Sequence, residues 1–314
     1  MSRRADRPDP GLHGVLVLAK PTGPTSHDIV ALVRRLTGAK RVGHGGTLDP
    51  FAAGVLPVFV GRATRMVEYH MADEKAYRAL VVFGAHSTTD DLDGELTPGE
   101  GSAPAHDQVE AALVAFRGEI EQVPPDHSAV RISGRRAYEM ARHGEKPELR
   151  PRHVDIRELR LVEWDGTDAA RPTVTLEVRC SAGTYIRALA RDLGVALGCG
   201  AYLAALTRTA SGPFRLEDAH TLDAARQALS TGKHARMLLP PDAGLEAYPR
   251  LTLGDEELAT LSKGQSVRHR VERKIGSGPS GLLRVVDGAG RLAAMARFEQ
   301  GRLHPEKVFV SPGR

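Results

Sequence analysis

Cysteine, aromatic rings and long apolar runs are all scarce in this chain, and each scarcity excludes something. Only two cysteines, Cys180 and Cys199, occur in 314 residues. Their spacing fits no zinc or redox motif, and a reducing cytoplasm suits a chain that uses thiols so sparingly. Each reads as a small buried hydrophobe. Aromatic residues make up 4% of the chain, too few for a broad stacking platform for single-stranded nucleic acid. Any base contact must come from a few placed rings. No apolar stretch approaches the roughly 18 residues of a membrane helix, and no signal-peptide pattern opens the chain, so no membrane partner is expected. Dinucleotide and metal motifs are also missing, and no cofactor or metal is expected.

What is present is an ordinary soluble composition, 41% apolar and 26% charged, with a net charge of +4 and a pI near 9.2. That balance permits a nucleic-acid partner without demanding one. The length suggests two domains. Residues 1–10 read as a disordered lead-in, charged and proline-bearing. Val15 to Leu18 reads as a buried strand, and Thr25 with Asp28 as a capping-box start to a helix carrying Ile29, Val33 and Leu36, closed by Gly38. Tyr77, Ala79, Val81 and Phe83 share one face of a strand, and Val174 to Cys180 alternate as another. A helix around Val109 to Phe116 ends near Gly118. A second carries Ile186, Leu189, Ala190, Leu193 and Leu197. Strands and helices mix without a regular βαβ rhythm, so the expected class is α+β.

Two segments stand apart. Residues 124–152 open on Pro124-Pro125 and hold Arg131, Arg135, Arg136, Arg142, Lys146, Arg150 and Arg152, a basic excursion from the main body. Pro240-Pro241-Asp242-Ala243-Gly244 and Pro249 read as a linker. After it a short helix near Glu256 to Leu261 and strands at Leu282–Val286 and Leu292–Phe298 suffice for a small β-rich domain, with Lys263, Arg268, Arg270, Arg273 and Lys274 as a basic edge. The expected division is residues 11–247 for the main body, with its insertion at 124–152, and 248–314 for the small domain.

The most informative stretch runs from Val42 to Pro57: Val-Gly-His-Gly-Gly-Thr-Leu-Asp-Pro-Phe-Ala-Ala-Gly-Val-Leu-Pro. Its glycines allow tight turns and close approach of a bulky ligand. Pro50 keeps Asp49 out of the helical region, so Asp49 sits on a stiff loop. Taken alone, Asp-Pro fits a turn in which Asp49 caps a helix. A phosphate-binding loop would need Lys-Ser or Lys-Thr after the glycines, and an oxyanion loop would need a G-x-S-x-G elsewhere; neither occurs.

The whole segment resembles the signature of the bacterial tRNA pseudouridine-55 synthases. Other motifs of that family follow in order between about residues 11 and 215. Leu18-Ala19-Lys20-Pro21-Thr22-Gly23 resembles its Lys-Pro-x-Gly opening, and Glu74-Lys75-Ala76-Tyr77 its Lys-x-Tyr motif. Pro124-Pro125, Ser128-Ala129, Gly134 to Tyr138 and Ala141-Arg142 resemble its RNA-gripping insertion, and Gly183-Thr184-Tyr185-Ile186-Arg187 its Gly-Thr-Tyr-Ile-Arg motif. Three places depart from the pattern: Thr88 replaces an acid in Ser87 to Asp91, Leu206-Thr207-Arg208 lacks one of two common arginines, and His127 replaces an aromatic.

The resemblance implies a mixed-sheet pseudouridine synthase catalytic domain with a PUA-like C-terminal RNA-binding domain. It implies an isomerase that flips a uridine out of a folded tRNA loop, cuts its glycosidic bond and rejoins the base through C5. Asp49 would be the essential carboxylate, Arg187 its ion-pair partner, and Tyr77 the ring that stacks on uracil and serves in proton removal from C5. His44 would enter the space vacated by the flipped base. Leu206 would wall the site, with plain core packing as the alternative. Lys20, Arg65, Arg142 and Arg208 would meet phosphates, which position RNA without reading it, and Tyr185 would join the RNA contacts. The T-arm loop of tRNA is the expected partner, with no obligatory protein partner and a monomer in the cytoplasm. A tRNA folding chaperone that needs no catalysis is a rival, and both activities fit in one protein, because flipping a loop base also remodels the loop; a pure chaperone would tolerate Asp49→Asn. A guide-dependent synthase is another, disfavoured because the basic insertion gives this chain its own grip on RNA.

Overall fold

The computed structural model describes residues 11–232, 236–269 and 281–309. The opening ten residues, together with Arg270, Arg273 and Lys274 of the basic edge, lie outside the described residues. Strand β1 (Gly14–Lys20) is buried along most of its length, as a run apolar on both faces requires. Helix α1 (Ser26–Thr37) starts where Thr25 Oγ1 accepts the Asp28 backbone N–H and the Asp28 carboxylate accepts that of Thr25. Such a cap contributes about 1 kcal/mol. The helix ends at Gly38, whose φ of 68° is left-handed.

Strands β2 (Val42–His44) and β3 (Ala53–Val60) pair antiparallel, so the loop carrying Asp49 is anchored in sheet at both ends. Then follow β4 (Lys75–Phe83), α2 (His106–Leu113), β5 (Gly118–Gln122), α3 (Ala137–Arg142), β6 (Arg152–Asp165), β7 (Thr173–Cys180), α4 (Ile186–Ala196), β8 (Ala201–Ser211) and α5 (Leu222–Ser230). The expected α+β class holds: one large mixed sheet runs β1-β3-β8-β4-β7-β6-β5, with His220–Thr221 and Leu238–Leu239 flanking β1. Most neighbours are antiparallel. The β3–β8 seam is parallel and brief, Thr207 opposite Ala53 and Arg208 opposite Gly54. The Asp49 loop feeds β3 at that seam, where the two halves of the sheet join. Between Gln122 and Arg152, which face each other across β5 and β6, the chain leaves the sheet.

Two cores flank the seam. On one side Ala79, Val81 and Phe83 of β4 pack with Val174, Leu176 and Val178 of β7 under Leu189 and Leu193 of α4. On the other, Leu16, Leu18, Leu56 and Val58 pack under Ile29 and Val33 of α1 and Leu229 of α5.

The small C-terminal domain comprises β9 (Arg250–Thr252), α6 (Asp255–Ser262), β10 (Leu282–Val286), β11 (Leu292–Glu299) and β12 (Arg302–Val308). With Val267–Arg268 these form a five-stranded sheet over a core of Leu251, Leu261, Val285 and Leu303. Leu292, Met295 and Phe309 reach out of it into a cluster with Val15, Phe59 and Met66 of the main body. The domain is therefore docked through shared apolar packing.

Candidate active site

The loop from Gly45 to Ala52 has no strand partner of its own, so its carbonyls need other donors. Two buried cations supply them. Lys20 Nζ donates to Ala52 O at 2.7 Å and Pro50 O at 3.4 Å, and outside the loop to Pro21 O at 2.9 Å. Arg208 Nε donates to Val55 O at 2.8 Å, Nη2 to Gly46 O at 3.2 Å and Nη1 to Thr47 O at 3.3 Å. Ser26 Oγ, from the first turn of α1, donates to Leu48 O and accepts from Leu48 N at 2.9 and 2.8 Å. Gly54 makes room for this arrangement. Its φ is +117°, and a Cβ there would stand 2.2 Å from the Arg208 carbonyl oxygen across the seam.

Asp49 projects from this fixed loop to Arg187, whose Nε lies 3.0 Å from its Oδ2. The rest of that guanidinium is occupied on its inner side. Nη1 lies 3.3 Å from Asp91 Oδ2 and donates to Thr89 O at 3.0 Å, and Nη2 donates to His127 O at 2.9 Å. The Arg187 and Asp91 side chains are each 6% exposed, whereas that of Asp49 is 38% exposed. The arginine is thus locked by three inner acceptors and offers its Nε–H to Asp49, whose carboxylate keeps a face open to a ligand. Asp91 is itself fixed by the Thr89 hydroxyl and the Asp93 N–H.

Tyr77 of β4 sits directly across from Arg208 of β8 in the sheet register. Burial pushes its hydroxyl pKa up, and the Arg208 guanidinium beside it partly opposes that shift. Leu206, 8% exposed, closes the adjoining core together with Leu48 and Ala52. Tyr185 precedes α4, where Gln122 clamps its backbone: Tyr185 N donates to Gln122 Oε1 at 2.8 Å, and Gln122 Nε2 donates to Tyr185 O at 3.0 Å.

His44 ends β2, five residues before Asp49. Its Nδ1 accepts the Gly46 N–H at 3.3 Å, which leaves the proton of a neutral ring on Nε2. Burial, aided by His27 and Arg208, lowers its pKa to about 4. The His27 ring meets it edge-on at 5.6 Å.

Asp49, Arg187, Tyr77, Leu206 and His44 therefore gather around one loop. Three of the expected phosphate contacts are elsewhere. Lys20 and Arg208 are each 1% exposed; they lie under the Asp49 loop and bind its carbonyls, which is how a buried cation is satisfied without a counter-ion. Burial lowers the Lys20 pKa to about 8, with Asp49 opposing the shift. Arg65 is engaged at the domain junction, where it donates to Val308 O and lies 5.2 Å from the centre of the Phe309 ring. Arg142 stays on the insertion, in the last turn of α3, 5.5 Å from the centre of the Tyr138 ring.

The site also uses residues that the sequence reading did not assign. Asp91 is the main one. It closes the Ser87 to Asp91 segment, and only the fold brings its carboxylate to Arg187. Ser26 and Gln122 act through long-range backbone contacts that leave no local pattern. Among the described residues no group of His, Cys, Asp and Glu is arranged to hold a metal.

Residues 34–186 match the family model described as TruB family pseudouridylate synthase (N terminal domain). Residues 187–246 match the one described as tRNA pseudouridylate synthase B C-terminal domain. A protein of Thiobacillus denitrificans named tRNA pseudouridine synthase B is 44% identical over 298 residues, covering 95% of this chain and 96% of that protein. One of the same name from Symbiobacterium thermophilum is 48% identical over 265 residues, 84% of this chain and 86% of that protein. Among solved structures, a chain of a Cbf5-Nop10-Gar1 complex superposes with a TM-score of 0.69 at 28% identity, covering 95% of this chain and 85% of that one.

Proposed function

The chain belongs to the TruB family of pseudouridylate synthases and is an isomerase, and from that premise we propose that its substrate is the uridine at position 55 in the T-arm loop of tRNA. Both relatives named above carry tRNA in their names. Those names support the substrate reading, and the chemistry rests on Asp49, fixed at 3.0 Å from Arg187 yet open on one face.

The reaction breaks the bond from ribose C1′ to N1 of uracil and forms one from C1′ to C5. The C5 proton leaves and N1 ends protonated, so atoms and electrons balance without a co-reactant. The reacting atoms lie inside a folded loop, and the base must be flipped out. Arg187 aims the Asp49 carboxylate through a charge-assisted contact, its Nε 3.0 Å from Oδ2. Asp49 acts on the ribose or the base of the flipped nucleotide. Tyr77 stacks on the uracil. Its raised pKa keeps the phenol protonated, so to serve as the base at C5 Tyr77 must first give up its own proton, to N1 of the detached base or to solvent; the Arg208 guanidinium beside it stabilises the phenolate that then takes the C5 proton. His44 is uncharged at neutral pH and offers Nε2–H as a donor into the space the base leaves. Leu206 gives the uracil an apolar wall. Arg142 and the neighbouring insertion arginines supply phosphate contacts, and Tyr185 adds a ring at the entrance to α4.

The test uses tRNA transcript tritiated at C5 of uridine, with a second transcript in which the T-arm loop uridine is replaced by cytidine. Tritium release from the first and none from the second is the expected result. Equal release from both would overturn the substrate assignment. Binding of the first without release would leave a tRNA chaperone.

A further inference from the structure

A second arginine stands on the same helix as Arg187, outside the site. Arg191 lies four residues after Arg187 on α4, hence on the same helical face. Arg187 spans from the segment at Thr89–Asp91 to His127 O. Arg191 makes a parallel span one turn later: Nη1 lies 2.9 Å from Asp90 Oδ2, and Nη2 donates to Val123 O at 2.8 Å. The two arginines are rungs of one ladder. Each joins the Thr89–Asp91 segment to the stretch of chain that enters the 124–152 insertion. Only the first rung touches Asp49.

Asp90 is the hinge between the rungs. Its φ is +61°, a left-handed conformation that aspartate tolerates better than most residues. That turn lets Thr89 and Asp91, its two chain neighbours, both address Arg187, while its own carboxylate points to Arg191. The carboxylate is 14% exposed. Burial raises its pKa, and Arg191 is the main opposing influence. Asp90 N donates to Ser87 O at 3.2 Å and Leu203 N to Asp90 O at 3.1 Å, so the turn is also tied to β8.

We propose that the Asp90–Arg191 pair is a positioning device for the catalytic ion pair: it fixes the turn that aims Arg187 at Asp49 and registers the entry of the RNA-gripping insertion against it. Neither residue reaches the reacting atoms, so both act through Arg187. The proposal rests on the function given above for Asp49 and Arg187.

The experiment compares wild type, Asp90→Asn, Arg191→Lys, Arg191→Met and the double variant Asp90→Asn/Arg191→Met. The readouts are single-turnover tritium release at saturating enzyme and, separately, tRNA affinity. Arg191→Met is expected to slow the single-turnover rate between about tenfold and a hundredfold, the scale of a small misplacement in a catalytic site. Its tRNA Kd should stay within about twofold of wild type, the margin within which uncoupled effects fall. Arg191→Lys keeps the Asp90 contact but cannot hold Val123 O at the same time, and should fall between. The double variant removes the stranded carboxylate and should be no slower than Arg191→Met. A merely structural role would lower the melting temperature, followed in a parallel thermal melt, and leave the single-turnover rate unchanged while folded enzyme stays in excess of tRNA; that result overturns the proposal. So does a rate for Arg191→Met equal to wild type, or a loss confined to tRNA Kd, or single effects that multiply in the double variant. An inactive wild type would instead overturn the proposed function, which keeps the two failures distinct.

Discussion

Replacing Asp91 by asparagine is the most informative perturbation of the Asp49–Arg187–Asp91 network. The change keeps the shape of the side chain and an acceptor oxygen but removes a charge from a pair whose members are each 6% exposed. Removing one partner of a buried ion pair costs about 3–5 kcal/mol. Asparagine retains a hydrogen bond, and Arg187 retains Asp49, Thr89 O and His127 O, so the low end, about 3 kcal/mol, applies. If half of it falls on the transition state because Arg187 shifts away from Asp49, the rate drops roughly tenfold. The other half lowers Tm by a few degrees, at about 2–4 °C per kcal/mol for a chain of this size class. The assay is single-turnover tritium release alongside a thermal melt. An Asp91→Asn protein that matches wild type in both would refute the reasoning that Arg187 is locked from its inner side.

Three further outcomes follow from the geometry. Lys20→Met removes the donor to Ala52 O and Pro21 O and should leave the Asp49 loop mobile, visible as faster amide hydrogen exchange at residues 46–52; unchanged exchange would contradict the clamp. Gly54→Ala adds a Cβ 2.2 Å from Arg208 O at a φ of +117° and should fail to fold or melt far below wild type; a near-normal melt would contradict the seam geometry. His44 should titrate near pH 4 by NMR. Its folded pKa is depressed below the unfolded value of about 6.5, so the unfolded chain binds the extra proton first. Its contribution is therefore present above about pH 6.5 and is lost as pH falls toward 4. A midpoint near 6.5 would contradict the burial of its ring.

The elements the sequence made visible were those with strong local signatures. Thr25, Asp28 and Gly38 bracket α1 by cap chemistry that acts within four residues. The alternation in β4 and β7 places Tyr77 and Val174 to Cys180 as expected. Strand β6 is different: Arg-His-Val-Asp-Ile-Arg-Glu-Leu-Arg-Leu-Val-Glu-Trp-Asp carries charges that neighbouring strands neutralise, as Arg160 does with Glu177 at 2.7 Å, and that pairing is not local. The same cause explains Lys20 and Arg208. A charged residue read in isolation belongs at the surface. These two are inside because the loop carrying Asp49 presents carbonyls that only the folded chain brings to them, from as far as 162 residues away for Gly46. Asp49, Arg187 and Tyr77 were legible through motif resemblance, whereas the second carboxylate and the backbone clamps required the tertiary structure.

In the proposed function Asp49, aimed by Arg187, performs the isomerisation. Its most direct test is tritium release from C5-labelled tRNA by Asp49→Asn beside wild type, with tRNA binding measured in parallel. The account predicts release by wild type, none by Asp49→Asn, and tRNA bound by both. Release by Asp49→Asn at the wild-type rate would contradict it.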